Sequence, residues 1–295
     1  MNDPMGGWLV PVMMFGLMFG MGLSLTWSDF RRVAEIPGPV ITGTLLQLVA
    51  MPAVGFALAL LFELPPMLAV GFVICAACPG GLGSNLFVHF GRASTALSIS
   101  LTATATMVTL FTLPLWIRAV QASVGGTADG VEIPLFDTAF ELGGLTVLPV
   151  LLGMTLRSYR SAAGRFERPL TGISAVVLLT DLLIDNFDRP DIPTDLFLAS
   201  LAPSIGLVVA ALLLGLLIPR LLGQSASDTV TIAVELCLKN ALLGVVVATT
   251  SFGEIEATIP LMVYSSLMAP PALLCLVVYR IRESRRRGAA GETTL

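Results

Sequence analysis

Glu235, Lys239 and Asn240 stand inside the run VTIAVELCLKNALLGVVVATTSF, with about a turn or more of apolar residues on each side; Lys239 is the only lysine in the chain. If this run crosses a membrane, each buried charge costs roughly 2.5–3.5 kcal/mol on insertion scales. Such groups pair or face a wet cavity, and an intramembrane ionisable pair reads first as a functional site. The ordinary alternative is a structural Glu235–Lys239 ion pair at i,i+4. A second candidate is MLAVGFVICAACPGGLGSNLFVHFGR. Pro79 lacks an N–H and clashes with the preceding turn, while Gly80, Gly81 and Gly83 free the backbone to unwind. Ser84 and Asn85, good N-cap types, are expected to restart the helix. Unwound backbone survives in lipid only when buried in protein or lining a polar cavity, so this break marks a site. A simple proline kink is the alternative.

Other reactive residues carry less. Cys75 and Cys78 have C-x-x-C spacing, but no second pair or nearby histidine accompanies them, and all four cysteines lie in apolar runs. They are read as buried thiols, with no transition-metal site expected. His89, the only histidine, lies one turn past the break and reads as an interfacial residue rather than a proton relay. Asp181 and Asp185 sit within two turns of a span's outer end, where snorkelling or loop capping outweighs proton carriage. Gly16 and Gly20 form G-x-x-x-G, a helix-packing face. The arginines after Tyr279 read as a stop-transfer anchor, with anionic lipid binding the lesser alternative. No nucleophile–base constellation appears, so an enzyme is not expected.

The elements that must position these residues follow from composition. Of 295 residues, 55% are hydrophobic and 12% charged, and the mean hydropathy is +0.89. A soluble domain carries about twice that share of charge, which excludes a water-soluble fold. The net charge of −4 and a pI near 5.0 argue against nucleic acid as a partner. At about 20 apolar residues per span, the windows place nine spans, near 8–27, 38–62, 66–91, 94–119, 138–157, 170–187, 195–220, 227–251 and 257–280. The first is not read as a cleavable signal, since Asp3 and no basic residue precede it. With the N-terminus outside, thirteen arginines fall on the inner side, and only Arg118 and Arg189 fall outside. The positive-inside rule then predicts a multi-pass protein of the inner (plasma) membrane, N-terminus out and C-terminus cytoplasmic.

Two discontinuous helices in opposite halves of a polytopic chain point to a secondary transporter built from inverted repeats. A five-helix repeat whose first copy lacks its first helix accounts for the total of nine.

The residues themselves carry a resemblance. MFGMGLSLTWSDFRR, Gln47 and Met51-Pro52, CPGGLGSN, ALSISLT and ELCLKN occur in order, and together they resemble the bile acid:sodium symporter family, in particular its bacterial members. The likeness covers about residues 12–280. It implies an all-α fold of nine transmembrane helices with two crossing discontinuous helices. A panel domain would comprise 8–30 and 138–187. A core domain would comprise 38–120 and 194–281, with breaks at 79–84 and 235–240, and 282–295 would form a cytoplasmic tail. It further implies alternating access and symport of an organic anion, such as a bile acid, pantoate or another carboxylate or sulfonate, with sodium. The partners are thus a small organic anion and the bilayer, with no obligate protein partner.

Carried over by position, the first sodium site would use Ser84, Asn85, Ser98, Thr102 and Glu235. Hard cations take oxygen ligands, and these residues supply hydroxyls, an amide carbonyl and a carboxylate. Ser98 and Thr102, at i,i+4, share a helix face; their ordinary alternative is bonding back to the i−4 carbonyls. The second sodium site would use Gln47, Glu235, carbonyls near Leu236 and Leu238, and a glutamine where this chain has Lys239. An ammonium has no acceptor and cannot coordinate a cation; it would occupy that place instead, leaving one sodium site intact and the second altered. Substrate would approach Pro79, Gly80, Gly81, Leu82, Asn85 and Asn240, where helix N-termini offer positive dipole ends. Leu82 stands where the family usually has a threonine, which makes that region more apolar. The rivals are a proton- or lysine-coupled, sodium-independent carrier or exporter on the same fold, and a membrane sensor that binds the anion without moving it.

Overall fold

The computed structural model describes residues 6–24, 26, 35–124, 148–167, 169–174, 176–177, 194–252 and 254–292. Regular structure there is helical. Helix α1 is Gly6–Ser24 and α2 is Pro37–Leu61. They are followed by α3 (Pro66–Ala77), α4 (Leu82–Phe90) and α5 (Thr95–Ser123). Helix α6 covers 148–159 and α7 is Thr194–Leu221. The chain then forms α8 (Ala226–Cys237), α9 (Ala241–Phe252) and α10 (Ile259–Glu292).

Three stretches among the described residues are each long and apolar enough to cross a bilayer: Pro37–Leu61, Thr194–Leu221 and Ile255–Arg285. The two arms of α5, bent by 57°, make a fourth when taken as one span. Pro114 lies inside α5, and its missing N–H leaves the carbonyl one turn earlier unpaired, a recurrent cause of kinks. The expected fifth and sixth spans lie partly, and Asp181 with Asp185 wholly, outside the described residues. From residue 282, where the tail is expected to begin, the chain continues α10 as helix to Glu292. No proline or glycine intervenes before Gly288 to stop it.

Burial sorts the helices into inner and outer sets. Every residue of α3 from Leu68 to Ala77 is buried, as befits a helix apolar on all sides. In α8 the buried stretch runs from Thr229 to Cys237. Helix α7, by contrast, exposes Leu198, Ile205, Val209, Leu213 and Leu217 along one flank, a surface that suits lipid and not water. Helix α7 packs against α8 and α10, and α3 against α2, α5 and α10. The first helices of the two broken pairs, α3 and α8, are therefore enclosed by the longer helices.

Helix α2 carries a local distortion that spacing alone does not predict. Pro52 cannot donate to Leu48 O. The Trp116 Nε1–H of α5 donates to that carbonyl instead, at 3.0 Å. Immediately upstream, Leu46–Ala50 form a π turn, and Gln47 within it is fully buried. Single π turns inside α-helices are frequent at functional sites.

Candidate functional site at the crossing of two broken helices

Helix α3 stops at Ala77 because Pro79 follows, and Cys78 takes an extended conformation (φ −61°, ψ 144°). Helix α4 begins at Leu82 with Gly81 at its N-cap. The expected restart at Ser84 and Asn85 is thus corrected by two residues. Ser84 does not cap the helix; its hydroxyl reaches Gly81 O at 2.7 Å and Glu235 Oε1 at 2.6 Å. The second break is also shorter than expected. Glu235 belongs to the last turn of α8, which runs to Cys237, and only 238–240 are non-helical. Leu238 leaves helical geometry at φ −87°, ψ 85°. Asn240 then caps α9, its Oδ1 accepting from Leu243 N at 3.1 Å.

The two breaks pair with each other. Gly80 and Lys239 form an isolated antiparallel bridge. Gly81 N donates to Leu238 O at 2.9 Å, and Asn240 N donates to Pro79 O at 2.8 Å. Backbone groups freed by unwinding are in this way satisfied away from lipid. The pairing also engages Leu238 O, one of the carbonyls expected at the second sodium site. Two further contacts hold the end of α8. The buried Tyr264 hydroxyl of α10 donates to Cys237 O at 2.9 Å, and Cys237 Sγ lies 3.3 Å from Met268 O. Tyr264 went unnoticed in the sequence, although a tyrosine amid apolar residues needs a hydrogen-bond partner for its hydroxyl, and this is the available signal.

Glu235, 1% exposed, is the centre of the arrangement. Its Oε1 accepts from Ser84 and from Ser98, and its Oε2 accepts from Thr102 at 3.2 Å. Ser98 Oγ also lies 2.6 Å from Asn85 Oδ1. All five residues expected for the first sodium site therefore converge, from α4, α5 and α8. The back-bonded alternative fails at Ser98 and Thr102 but holds for their neighbours: Ser100 donates to Ala96 O at 3.0 Å and Thr104 to Ser100 O at 2.8 Å. Each hydroxyl owns one proton, so Ser84 and Ser98 cannot donate to two acceptors at once. Three hydroxyls and the Asn85 carbonyl gathered at one carboxylate, with too few protons to pair every acceptor, make an electron-rich pocket suited to a hard cation.

Gln47, Gly80 and Lys239 border the same carboxylate. A Cβ built on Gly80 would lie 2.2 Å from Glu235 Oε2 and 3.1 Å from Gln47 Nε2. Both polar atoms of the Gln47 amide are buried without a hydrogen-bond partner, an expensive state unless a ligand or ion completes it. Lys239, 2% exposed, donates from Nζ to Cys78 O at 3.1 Å. This contact takes the place of the i,i+4 ion pair with Glu235 that stood as the ordinary alternative, because α8 ends before Lys239 and takes the side chain off the helical register. Of the substrate region, Pro79, Gly80 and Gly81 line the crossing, and Asn85 and Asn240 are half-buried beside it. The side chain of Leu82 lies outside the description. Asn240 Nδ2 approaches Met21 Sδ of α1 at 3.6 Å.

Comparison with known proteins gives this geometry a family. Residues 11–187 match the Sodium Bile acid symporter family. A probable chloroplastic sodium/metabolite cotransporter of Arabidopsis thaliana is 32% identical over 84% of this chain and 61% of its own length. The uncharacterized sodium-dependent transporter YocS of Bacillus subtilis is 28% identical over 84% of this chain and 76% of its own. The ileal sodium/bile acid cotransporter of Mus musculus is 25% identical over 92% and 79%. The chain spans about 61% and 63% of the length of two plant relatives, from Arabidopsis thaliana and Oryza sativa subsp. japonica. These relatives bear the names of transporters and not of enzymes. A profile covering well over half of the chain, with two broken helices crossing beyond and within it, leads to one conclusion: this protein belongs to the sodium bile acid symporter family.

Proposed function

We propose that the protein is a secondary active transporter that moves an organic anion together with sodium. The observation that carries the reading is the convergence of Ser84, Ser98 and Thr102 on the buried Glu235 carboxylate at the helix crossing, with Asn85 beside Ser98. Sodium would sit among these oxygens as the co-transported ion. A small carboxylate or sulfonate would lie next to the first turns of α4 and α9, whose positive dipole ends favour negative charge. Gly83 supports this placement. It is exposed, and a Cβ there would meet nothing within 4 Å, so the start of α4 borders open space.

In this reading Lys239 replaces a second sodium. Its Nζ is held at Cys78 O across the crossing while Gln47 is left without a partner, and Glu235 would then balance Lys239 while one sodium balances one anion. The core would comprise 38–120 and 194–281 and the panel 8–30 and 138–187. Support for the panel comes from the close packing of α1 on α6: a Cβ on Gly22 would lie 2.2 Å from Val150 O. The arginine distribution supports a plasma-membrane protein with its N-terminus outside and its C-terminus in the cytoplasm.

The first test needs no substrate. Ligand binding to the folded state raises apparent stability by mass action, so the melting temperature in detergent is recorded against sodium, with potassium and choline as controls. A saturable, sodium-specific rise is expected. Absence of any sodium effect together with a pH-dependent melt would favour a second reading, proton coupling through the buried Lys239. The Lys239→Gln variant separates the ion counts: sodium moved per substrate should rise from one to two, and an unchanged ratio would remove Lys239 from the coupling.

A further inference from the structure

A cavity of about 400 Å³ lies between α7, α8 and α10, away from the crossing. Ala226 on its wall precedes Glu235 by nine residues, roughly 13 Å along the axis of α8. Its interior is apolar, lined by Leu212 and Leu216 of α7, Val230 of α8, and Leu274 and Val278 of α10. Leu274 and Val278 are also exposed, as are Leu213, Leu217 and Val277 beside them. The cavity therefore opens sideways onto the apolar flank of the molecule and not only at its end. At the mouth stand Arg220, in the last turn of α7, and Arg282 of α10, with Tyr279 and Glu283 at the rim.

Arg282 reaches the cavity only because α10 continues as helix past Tyr279. Arg220 and Arg282 are both exposed, and they outnumber the one carboxylate among the lining residues, so the mouth carries net positive charge. An apolar slot open to hydrocarbon, closed at one end by two arginines, matches an amphiphile with a long apolar chain and an anionic head. Guanidinium groups bind phosphate in a forked, bidentate geometry, and the slot's position at a helix end places them at headgroup depth. We infer that this cavity is a binding site for an anionic phospholipid. One acyl chain lies between α7 and α10, and the phosphate is held by Arg220 and Arg282. Bound there, the lipid tethers the ends of α7 and α10 to each other around the first turns of α8, the helix that carries Glu235.

The test uses the full chain in a neutral detergent, with the melting temperature recorded against added phosphatidylglycerol. Parallel titrations use phosphatidylcholine, phosphatidylethanolamine and water-soluble glycerol 3-phosphate. Phosphatidylglycerol should stabilise saturably, and the other three should not match it. Since each basic residue near a lipid surface contributes about a fivefold factor, the Arg220→Gln/Arg282→Gln double variant should need roughly thirtyfold more lipid for the same shift. Both residues are exposed, so the variant should fold, and its response to sodium should remain that of the parent. Equal stabilisation by phosphatidylcholine or phosphatidylethanolamine would overturn the inference in favour of generic solvation. A full effect from glycerol 3-phosphate would overturn it in favour of a free phosphate site. An unchanged phosphatidylglycerol titration in the double variant would overturn the assignment to this cavity.

Discussion

The two breaks do the same topological job by opposite means. At Cys78–Gly81 the helix ends because proline and glycine cannot continue it, and Gly81 serves as N-cap without any side-chain cap. At Leu238–Asn240 no proline or glycine is present. That break is held from outside, by Tyr264 on the last carbonyl of α8, by the pairing with Pro79 and Gly81, and by the Asn240 cap on α9. The first break supplies space and backbone; the second supplies charge, Glu235 before it and Lys239 within it. One segment is therefore sensitive to added volume, and the other to removed polarity.

The largest expected effect comes from Glu235→Gln. The variant keeps the shape of the side chain but removes the only charge on which Ser84, Ser98 and Thr102 converge. Hydrogen bonds to a charged group contribute about 1.5–3 kcal/mol, so apparent sodium affinity should fall on the order of 100-fold. A sodium titration of the melting temperature measures it. A wild-type sodium response in this variant would break the assignment of the cluster to cation binding.

Gly80→Ala tests the volume side. Its methyl group would lie 2.2 Å from Glu235 Oε2, and relieving such overlap costs about 1–3 kcal/mol in packed surroundings. The variant should melt lower and respond less to sodium. Gly83→Ala, three residues on and in open space, should be neutral or slightly stabilising, since alanine is favoured over glycine in a helix by about 1 kcal/mol. Equal effects at the two positions would show that the first break is shaped by glycine's flexibility alone and not by its closeness to the carboxylate.

On α5 the comparison becomes internal to one helix. Ser98→Ala and Thr102→Val each remove a hydroxyl directed at Glu235, while Ser100→Ala and Thr104→Val remove hydroxyls bonded to their own helix. The first pair should weaken sodium binding severalfold each, on the scale of about 1 kcal/mol per hydrogen bond. The second pair should leave the sodium titration unchanged. If all four behave alike, the hydroxyls of this helix act through its packing and not as ligands.

Much of this arrangement was legible in the sequence, for identifiable reasons. The first break announced itself by proline and three glycines, and the second by Glu235, Lys239 and Asn240 amid apolar residues. The helices over 37–61 and 194–221 followed from uninterrupted hydropathy. The convergence of five distant residues followed from motif resemblance alone, since no local spacing links Ser98 with Glu235. Other features depend on contacts the sequence does not encode locally. The shift of the first helix restart from Ser84 to Leu82 arises because Ser84 is drawn to a carboxylate on another helix. The loss of the Glu235–Lys239 pair follows from where α8 stops, which Tyr264 and the opposing break help to fix. The π turn at Gln47 is visible only once Trp116 is seen to serve the carbonyl stranded by Pro52.

The smallest predicted effect sharpens the contrast between the breaks most directly. Asn240→Ala removes the side-chain acceptor of Leu243 N, and losing an N-cap of this type costs about 1 kcal/mol. Asn240→Asp keeps an acceptor at the same place and, at a helix N-terminus, is favoured by the dipole; it should restore the melting temperature of the parent. At the other break the corresponding position is Gly81, which has no side chain to lose, and the pairing of Gly81 N with Leu238 O stabilises both segments together. If Asn240→Ala leaves the melting temperature unchanged, that shared pairing is sufficient to hold α9 in place, and the second break needs no cap of its own. If it falls while Asn240→Asp does not, the second break is stabilised by side-chain chemistry where the first relies on proline, glycine and close packing.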